Sequence, residues 1–146
     1  MRILALDVGD KTIGVAVSDP FGLTAQGLKV LHRGEEAEDV QHVLELARRY
    51  EVEEVVIGLP RTLAGEIGPQ AQKVLRFGEL LAQQGLKIIY WDERFTTKEA
   101  EKVLLAADVS RKKRRRVKDI LAAVLLLEAY LEKRRKEAEQ SNFERG

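Results

Sequence analysis

The order of apolar and polar residues predicts a chain that begins with strands. Residues 3–8 are apolar and lead into the turn sequence Gly9-Asp10-Lys11, after which residues 13–18 resume the apolar pattern. Two short apolar segments joined by such a turn are typical of a β-hairpin. Residues 28–31 are predicted as a third strand, so the chain opens with three consecutive strands.

Helices and strands alternate through the rest of the chain. Val40, Val43, Leu44 and Ala47 recur at helical spacing, which predicts a helix over residues 36–50. The later predicted elements are a strand over 54–59 ended by Pro60, a helix from Pro69 to about Gln84 with Gly85 as its stop, a strand over 86–91, a helix from about Thr96 to Ala107 with Thr96 and Glu99 as a capping box, a basic loop, and a helix from about Val117 to Glu137.

This order of elements predicts the α/β class. Three strands in a meander, followed by strands that alternate with helices, imply a mixed five-stranded sheet: an antiparallel meander plus two parallel strands, with helices on both faces. A chain of 146 residues suits one domain, predicted over residues 1–138. Residues 139–146 are polar and are predicted to be a frayed tail.

Composition narrows the classes of function. The chain has no cysteine, which excludes thiol catalysis and cysteine-based metal sites. No apolar run approaches the roughly 20 residues of a membrane span, and no signal peptide is recognisable, so we expect a cytoplasmic protein without a membrane partner. The net charge of +1 hides an asymmetry: residues 35–54 carry a net charge of −6, whereas residues 111–118 hold seven basic residues.

Asp7 interrupts the pattern of the first strand. By alternation it shares a face with Ile3 and Ala5, where a core residue is expected. A charge there is costly unless it is paired or binds a cation. The alternative is a structural carboxylate that accepts hydrogen bonds from the amides of the Gly9–Lys11 turn.

Asp92 and Glu93 follow the fifth strand in the same way. Asp92 alternates with Ile88 and Tyr90, and Glu93 with Ile89 and Trp91. The alternation alone does not say which of the two faces Asp7. The alternative for either is a loop or helix-capping carboxylate.

Asp119 is predicted in the first turn of the last helix. It lies on the same helical face as Ala122, Ala123 and Leu126, and small alanines allow a helix to approach a sheet closely. The alternative is an acid that stabilises the helix through its dipole, worth about 0.3–1 kcal/mol.

Together, three acids at the ends of elements suggest a metal site. His32 and His42 look like ordinary residues, so the donors are oxygens, which suit Mg²⁺ or Mn²⁺ better than zinc. Two such ions about 3.5–4 Å apart support phosphodiester hydrolysis. The adjacent basic run would then bind a phosphate backbone, although a solvated charge cluster is the alternative; the run comprises Arg111, Lys112, Lys113, Arg114, Arg115 and Arg116.

Four blocks of sequence closely resemble the YqgF family. They span nearly the whole chain and occur in the family's order: ALDVGDKTIGVAVSDP at Ala5–Pro20, GLP at Gly58–Pro60 with Gly65, Gly68 and Pro69, DERFTT at Asp92–Thr97, and DILAAVLLLEAYL from Asp119. The members of this family are RNase H-like proteins described as Holliday junction resolvases and as nucleases that mature small-subunit ribosomal RNA precursors. The resemblance implies an RNase H-like fold and that activity.

The resemblance also implies a specific site. Asp7, Glu93 and Asp119 would bind two divalent ions, Mg²⁺ or Mn²⁺, which favours Glu93 over Asp92. It places Lys11, Arg94 and Thr97 near a nucleic-acid substrate, either a 16S ribosomal RNA precursor cut at its 5′ end or branched DNA. Three positions depart from the family pattern: Asp10 stands where threonine is usual, and Thr62 and Ala64 where asparagine and aspartate are usual.

Two other classes of function remain open. The first is a nucleic-acid-binding module without catalysis, in which the acids serve only as caps and turn ligands. The second is a nucleotide-binding fragment of the actin/Hsp70 type, which needs two lobes for which 146 residues leave little room. A resolvase that cuts two symmetric strands suggests a homodimer, whereas precursor trimming can proceed as a monomer.

Overall fold

A computed structural model describes residues 2–62, 64–93 and 111–145, except for the side chains of 111–116 and 143–145. Its elements follow the predicted order: β1 (Arg2–Val8), β2 (Thr12–Ser18), β3 (Ala25–His32), α1 (Glu36–Arg49), β4 (Val52–Leu59), α2 (Pro69–Gln83), β5 (Lys87–Asp92) and α3 (Arg111–Arg145). The helix predicted from Thr96 to Ala107 lies outside the described residues, as do Arg94 and Thr97.

The five strands form one mixed sheet in the order β3-β2-β1-β4-β5. β2 pairs antiparallel with β1 and β3, while β4 pairs parallel with β1 and β5. The Gly9 amide donates to the Thr12 carbonyl at 2.8 Å and closes the turn between β1 and β2. The carboxyl ends of β1, β4 and β5 therefore meet at one edge of the sheet, as the prediction requires.

Helices cover both faces of this sheet. Leu4, Leu6 and Val8 of β1 belong to a core shared with α1 and α2. Ile3 and Ala5 belong to a second core on the opposite face, where α3 contributes residues such as Leu126 and Leu127. Since side chains alternate along a strand, Asp7 faces α3.

Glycines allow α3 to lie directly on the sheet. A Cβ atom at Gly14 of β2 would overlap the backbone carbonyl of Asp119, and one at Gly27 of β3 would overlap the Ile120 side chain. The sheet thus presents bare backbone to α3, which brings the Asp119 region close to the carboxyl end of β1.

The start of α3 corrects the prediction. The described helix already includes Arg111, ahead of the predicted start at Val117, so the run from Arg111 to Arg116 is helical and not a loop. Arginine and lysine are good helix formers, and the run contains no proline or glycine to stop a helix. Asp119 consequently lies in the third turn, beyond the first turn where the dipole stabilises an acid, and that alternative fails.

The far half of α3 also extends the predicted helix. It continues past Glu137 to Arg145, and residues 132–142 are exposed. Pairs at four-residue spacing support it, with Lys136 and Glu132 at 3.4 Å and Lys133 and Glu137 at 3.9 Å. The division between a domain over 1–138 and a tail over 139–146 stays a prediction.

Among the helices of the described ranges, none is both long and apolar enough to cross a membrane.

The contact between Gly14 and α3 yields a stability prediction. Gly14→Ala should lower the free energy of unfolding by about 1–3 kcal/mol, because the new methyl group forces the helix away from β2. Gly34→Ala is the matched control, since its methyl group would lie 3.6 Å from Glu38 Oε2 at an ordinary contact distance. Urea unfolding measures both variants. Equal stabilities would show that α3 does not pack this closely on β2.

Candidate active site

Asp7 lies near the carboxyl end of the central strand β1, on the face of the sheet that α3 covers. Asp7 pairs in register with Gly14, the residue over which the backbone of Asp119 passes. Burial raises the pKa of Asp7, the negative charge of Asp119 adds to this rise, and the positive charge of Lys118 opposes it. Asp7 and Asp119, 112 positions apart, therefore interact across the junction of strand and helix.

Thr12 holds the Asp119 side chain. Its hydroxyl Oγ1 donates a hydrogen bond to Asp119 Oδ2 at 2.9 Å. Our sequence reasoning missed Thr12, although alternation along β2 places it on the same face as Gly14 and Ala16. That alternation was the available evidence, and it would have pointed to a hydroxyl next to the proposed carboxylates.

Glu93 completes a carboxyl pair with Asp7. It continues the alternation of Ile89 and Trp91, which puts it on the α3 face, and it forms a side-chain hydrogen bond with Asp7. Gly58 makes room for it, because a Cβ atom there would overlap the Glu93 carboxyl group. The structure thus brings Asp7 and Glu93 together, the choice that the resemblance favoured.

Asp92 forms an ion pair with Arg61. Its carboxylate lies 3.8 Å from Arg61 Nε, with Arg61 located just beyond the carboxyl end of β4. The pKa of Glu93 is raised by burial and by Asp7, and the negative charge of Asp92 adds to this rise. The two neighbouring acids therefore have separate surroundings.

Burial sets the protonation of the carboxyl pair. Burial is the largest of the causes that raise the pKa of Glu93 from 4.5 to about 8, and the hydrogen bond to Asp7 and the charge of Asp7 contribute the next largest parts of this rise. Burial also raises the pKa of Asp7, although the hydrogen bond from Glu93 opposes that rise. Two carboxylates this close cannot both ionise without a neutralising positive charge, so Glu93 carries a proton at neutral pH.

The donor set fits a hard divalent cation. Asp7, Glu93 and Asp119 offer only carboxylate oxygens, and the proton shared by Asp7 and Glu93 marks the place where a cation can supply the missing positive charge. Within the described ranges, no three acidic or histidine side chains form a compact metal-binding cluster, and the Asp119 carboxylate accepts a hydrogen bond from Thr12. His32 and His42 are exposed, in keeping with ordinary roles.

One structural alternative for Asp7 loses support. The Gly9 amide binds the carbonyl of Thr12, so this turn is closed by backbone. The Asp7 carboxylate has Glu93 as its hydrogen-bond partner instead.

Positive charge borders the carboxyl pair. Lys11 is exposed in the turn after Asp7, and Lys118 acts electrostatically on Asp7. Arg61, which our sequence reasoning did not select, lies beside Asp92. The backbone of the basic run forms the first turns of α3 ahead of Asp119, while Arg94 and Thr97 fall outside the described residues.

The departures from the family pattern have local partners. Asp10 forms an ion pair with Lys73 of α2, at 3.7 Å between Oδ1 and Nζ. Thr62 organises its own loop, because its hydroxyl accepts a hydrogen bond from the Glu66 amide at 3.1 Å. Ala64 is exposed in that loop.

Comparison with known sequences supports the family that the sequence blocks resemble. A family model described as RuvX, Holliday junction resolvase, matches residues 1–133. A protein of Heliobacterium modesticaldum named "Putative pre-16S rRNA nuclease" is 52% identical over 133 residues, which cover 90% of this chain and 89% of that one. A protein of Moorella thermoacetica with the same name is 53% identical over 134 residues, which cover 91% and 96% of the two chains.

Solved structures confirm the RNase H-like fold. Thermus thermophilus RuvC in complex with a Holliday junction is 17% identical, with a TM-score of 0.56 and coverage of 86% of this chain and 91% of that one. The Fowlpox virus resolvase in complex with junction DNA is 16% identical, with a TM-score of 0.56 and coverage of 91% and 98%. By the family match and by sequence identity, this chain belongs to the RuvX family, the YqgF-type proteins that its sequence blocks resemble.

Proposed function

We propose that this chain is a metal-dependent endonuclease that uses Asp7, Glu93 and Asp119 to hydrolyse phosphodiester bonds, with 5′-end maturation of the 16S ribosomal RNA precursor as its main reaction. The observation that carries the proposal is the hydrogen-bonded, half-buried carboxyl pair of Asp7 and Glu93 beside Asp119. The names of the relatives that are about 50% identical support the substrate. A cytoplasmic site of action goes with a ribosomal RNA substrate.

Each carboxylate has its own task in the proposed reaction. Asp7 and Glu93 would bind a divalent ion between them, and Asp119, oriented by Thr12, would serve a second ion. Such ions activate water and stabilise the charge on the leaving oxygen. Glu93 must lose its proton before it can bind the ion. Because the pKa of Glu93 is raised to about 8, ion binding should depend on pH.

The surrounding cations would position the substrate. Lys118 acts on Asp7 through its charge, Lys11 lies in the turn that follows β1, and the basic residues 111–116 precede Asp119 in α3. Phosphates bound there would lead the strand past Asp7. Because such contacts are electrostatic, binding should weaken steeply with salt.

Holliday junction resolution is the second candidate. The description of the matching family and the two solved resolvase complexes favour it. A junction requires two symmetric cuts and therefore two active sites in a homodimer, whereas a precursor RNA needs one. Cleavage of a 16S precursor and of a four-way junction, assayed in parallel with Mg²⁺ and with Mn²⁺, distinguishes the two substrates, and sedimentation gives the oligomeric state.

The remaining alternatives have their own outcomes in this assay. Binding of both substrates without cleavage at any concentration of either ion would favour the non-catalytic module. Stoichiometric binding of ATP by the purified protein would revive the actin/Hsp70 type of fold.

The first prediction from the proposal concerns the carboxylates. Asp7→Asn, Glu93→Gln and Asp119→Asn should each reduce cleavage by about three orders of magnitude or more, because each removes a metal ligand worth several kcal/mol in the transition state. Asp92→Asn is the matched control, since Asp92 pairs with Arg61. It should keep at least about a tenth of the parent rate. Undiminished cleavage by Asp7→Asn would contradict the mechanism.

The second prediction concerns stability without metal. Glu93 keeps its proton in the folded protein up to about pH 8, whereas the unfolded chain releases it near pH 4.5. The folded state binds the extra proton, so the free energy of unfolding should fall as pH rises from about 5 to 8. Asp7→Asn removes the like charge and should stabilise the metal-free protein at pH 8 by about 1–3 kcal/mol, with a smaller gain at pH 5.

Urea unfolding in EDTA at both pH values measures this effect. Asp10→Asn, which neutralises an exposed carboxylate in the adjacent turn, is the control and should keep the pH dependence of the parent. Mn²⁺ should stabilise the parent at pH 8 more than it stabilises Asp7→Asn. A parent whose stability does not fall between pH 5 and 8 would refute the shared proton.

The third prediction concerns the basic turns of α3. Replacing Arg114, Arg115 and Arg116 with glutamine should weaken nucleic-acid binding and reduce the slope of log K against log salt by about 2–3. The control replaces Lys133, Arg135 and Lys136, which removes the same charge from the exposed far half of the helix. Fluorescence anisotropy over a salt series measures both. Equal slopes for the two triple variants would show that the basic run is only solvated surface.

A further inference from the structure

We propose that Arg33 is a positioning residue, which holds the Gly9–Lys11 turn and through it sets the geometry of Asp7 and Asp119. The inference rests on the proposed function of that site. Arg33 follows the last residue of β3 and belongs to none of the sequence blocks that identify the family.

Arg33 binds both ends of the turn. Its backbone amide donates to the Lys11 carbonyl at 2.9 Å. Its guanidinium nitrogen Nη1 donates to the Gly9 carbonyl, also at 2.9 Å. One residue thus fixes the turn that connects Asp7 to Thr12.

The guanidinium group is itself held from two helices. Nε lies 3.2 Å from Asp39 Oδ2, and this carboxylate of α1 is only 3% exposed. The Gly34 amide donates to the other oxygen of Asp39 at 3.1 Å. The ring of Phe77, fully buried in α2, lies with its centroid 5.4 Å from the guanidinium carbon. The position of Arg33 is therefore set by the core beneath α1 and α2.

The turn passes this constraint to the carboxylates. Asp7 stands two residues before Gly9, whose amide binds the Thr12 carbonyl. The Thr12 hydroxyl in turn donates a hydrogen bond to the Asp119 carboxylate. A displaced turn would move the end of β1 and the donor to Asp119 together, and groups that orient metal ligands typically change metal affinity or activity by about 10–100-fold when mutated.

A simpler role for Arg33 is neutralisation of the buried Asp39. Arg33→Lys separates the two roles, because lysine keeps the positive charge but has a single nitrogen, which cannot serve Asp39 and Gly9 at once in the arginine geometry. Neutralisation alone predicts a lysine variant with the activity of the parent. Positioning predicts that lysine fails to replace arginine.

The experiment compares Arg33→Lys and Arg33→Met with Arg76→Met. Arg76 is the matched control, since it forms an exposed ion pair between α2 and α1, with Nε 3.1 Å from Glu36 Oε1. Both Arg33 variants should lower kcat about 10–100-fold with KM for the nucleic acid within about twofold, and weaken Mn²⁺ binding measured by calorimetry about tenfold. Amide exchange at Gly9 should accelerate. Arg76→Met should match the parent in every measurement.

The outcomes separate the inference from the proposed function. A lysine variant with the kcat and Mn²⁺ affinity of the parent would overturn the positioning role and leave charge neutralisation. A change confined to KM would overturn it too, because it would make Arg33 a substrate contact. If the parent cleaves neither substrate, the proposed function fails; Mn²⁺ affinity and Gly9 exchange then decide the role of Arg33, and parental values in both would overturn it.

Discussion

The direct packing of α3 on the backbone of β2 is the constraint on which the site depends. Because Gly14 has no side chain, α3 can lie directly against β2. The Asp119 carboxylate then accepts a hydrogen bond from the hydroxyl of Thr12 and acts on Asp7 through its charge. Gly58 does the same on the other side of β1, where it admits Glu93. Because the sheet is bare at two points beneath them, Asp7 pairs with Glu93, and Asp119 comes close enough for its charge to act on Asp7.

This arrangement works against the stability of the metal-free protein. A hydrogen-bonded pair of half-buried carboxyl groups retains a proton at pH values well above the ordinary range, and the retained proton makes folding less favourable as pH rises. A sheet selected only for stability would put an apolar residue at Asp7, as it does at Ile3 and Ala5 on the same face. The cost of the pair is the physical reason to regard it as functional.

Sequence patterns predicted most of the fold, because alternation and helical spacing are local properties. They identified the five strands, both faces of the sheet and the unusual position of Asp7. They could not choose between Asp92 and Glu93, since the choice depends on which face of β5 meets α3. They also mistook the basic run for a loop, because residues 111–116 contain no apolar residue that could show helical spacing, although arginine and lysine are good helix formers. Arg33 and Thr12 were missed because their hydrogen bonds, to Gly9 and to Asp119, join residues that are far apart in the sequence.

The fold places the acidic residues of α1 and the basic run of α3 on opposite faces of the sheet. The acidic residues of α1, among them Glu36, Glu38 and Glu45, lie on the face of the sheet opposite to α3. The basic run leads into α3 on the other face. In the proposed function, a polyanion would be repelled by α1 and attracted to the start of α3, which precedes Asp119 in the sequence. The proposed binding by a nearly neutral chain therefore depends on the separation of its charges more than on their sum.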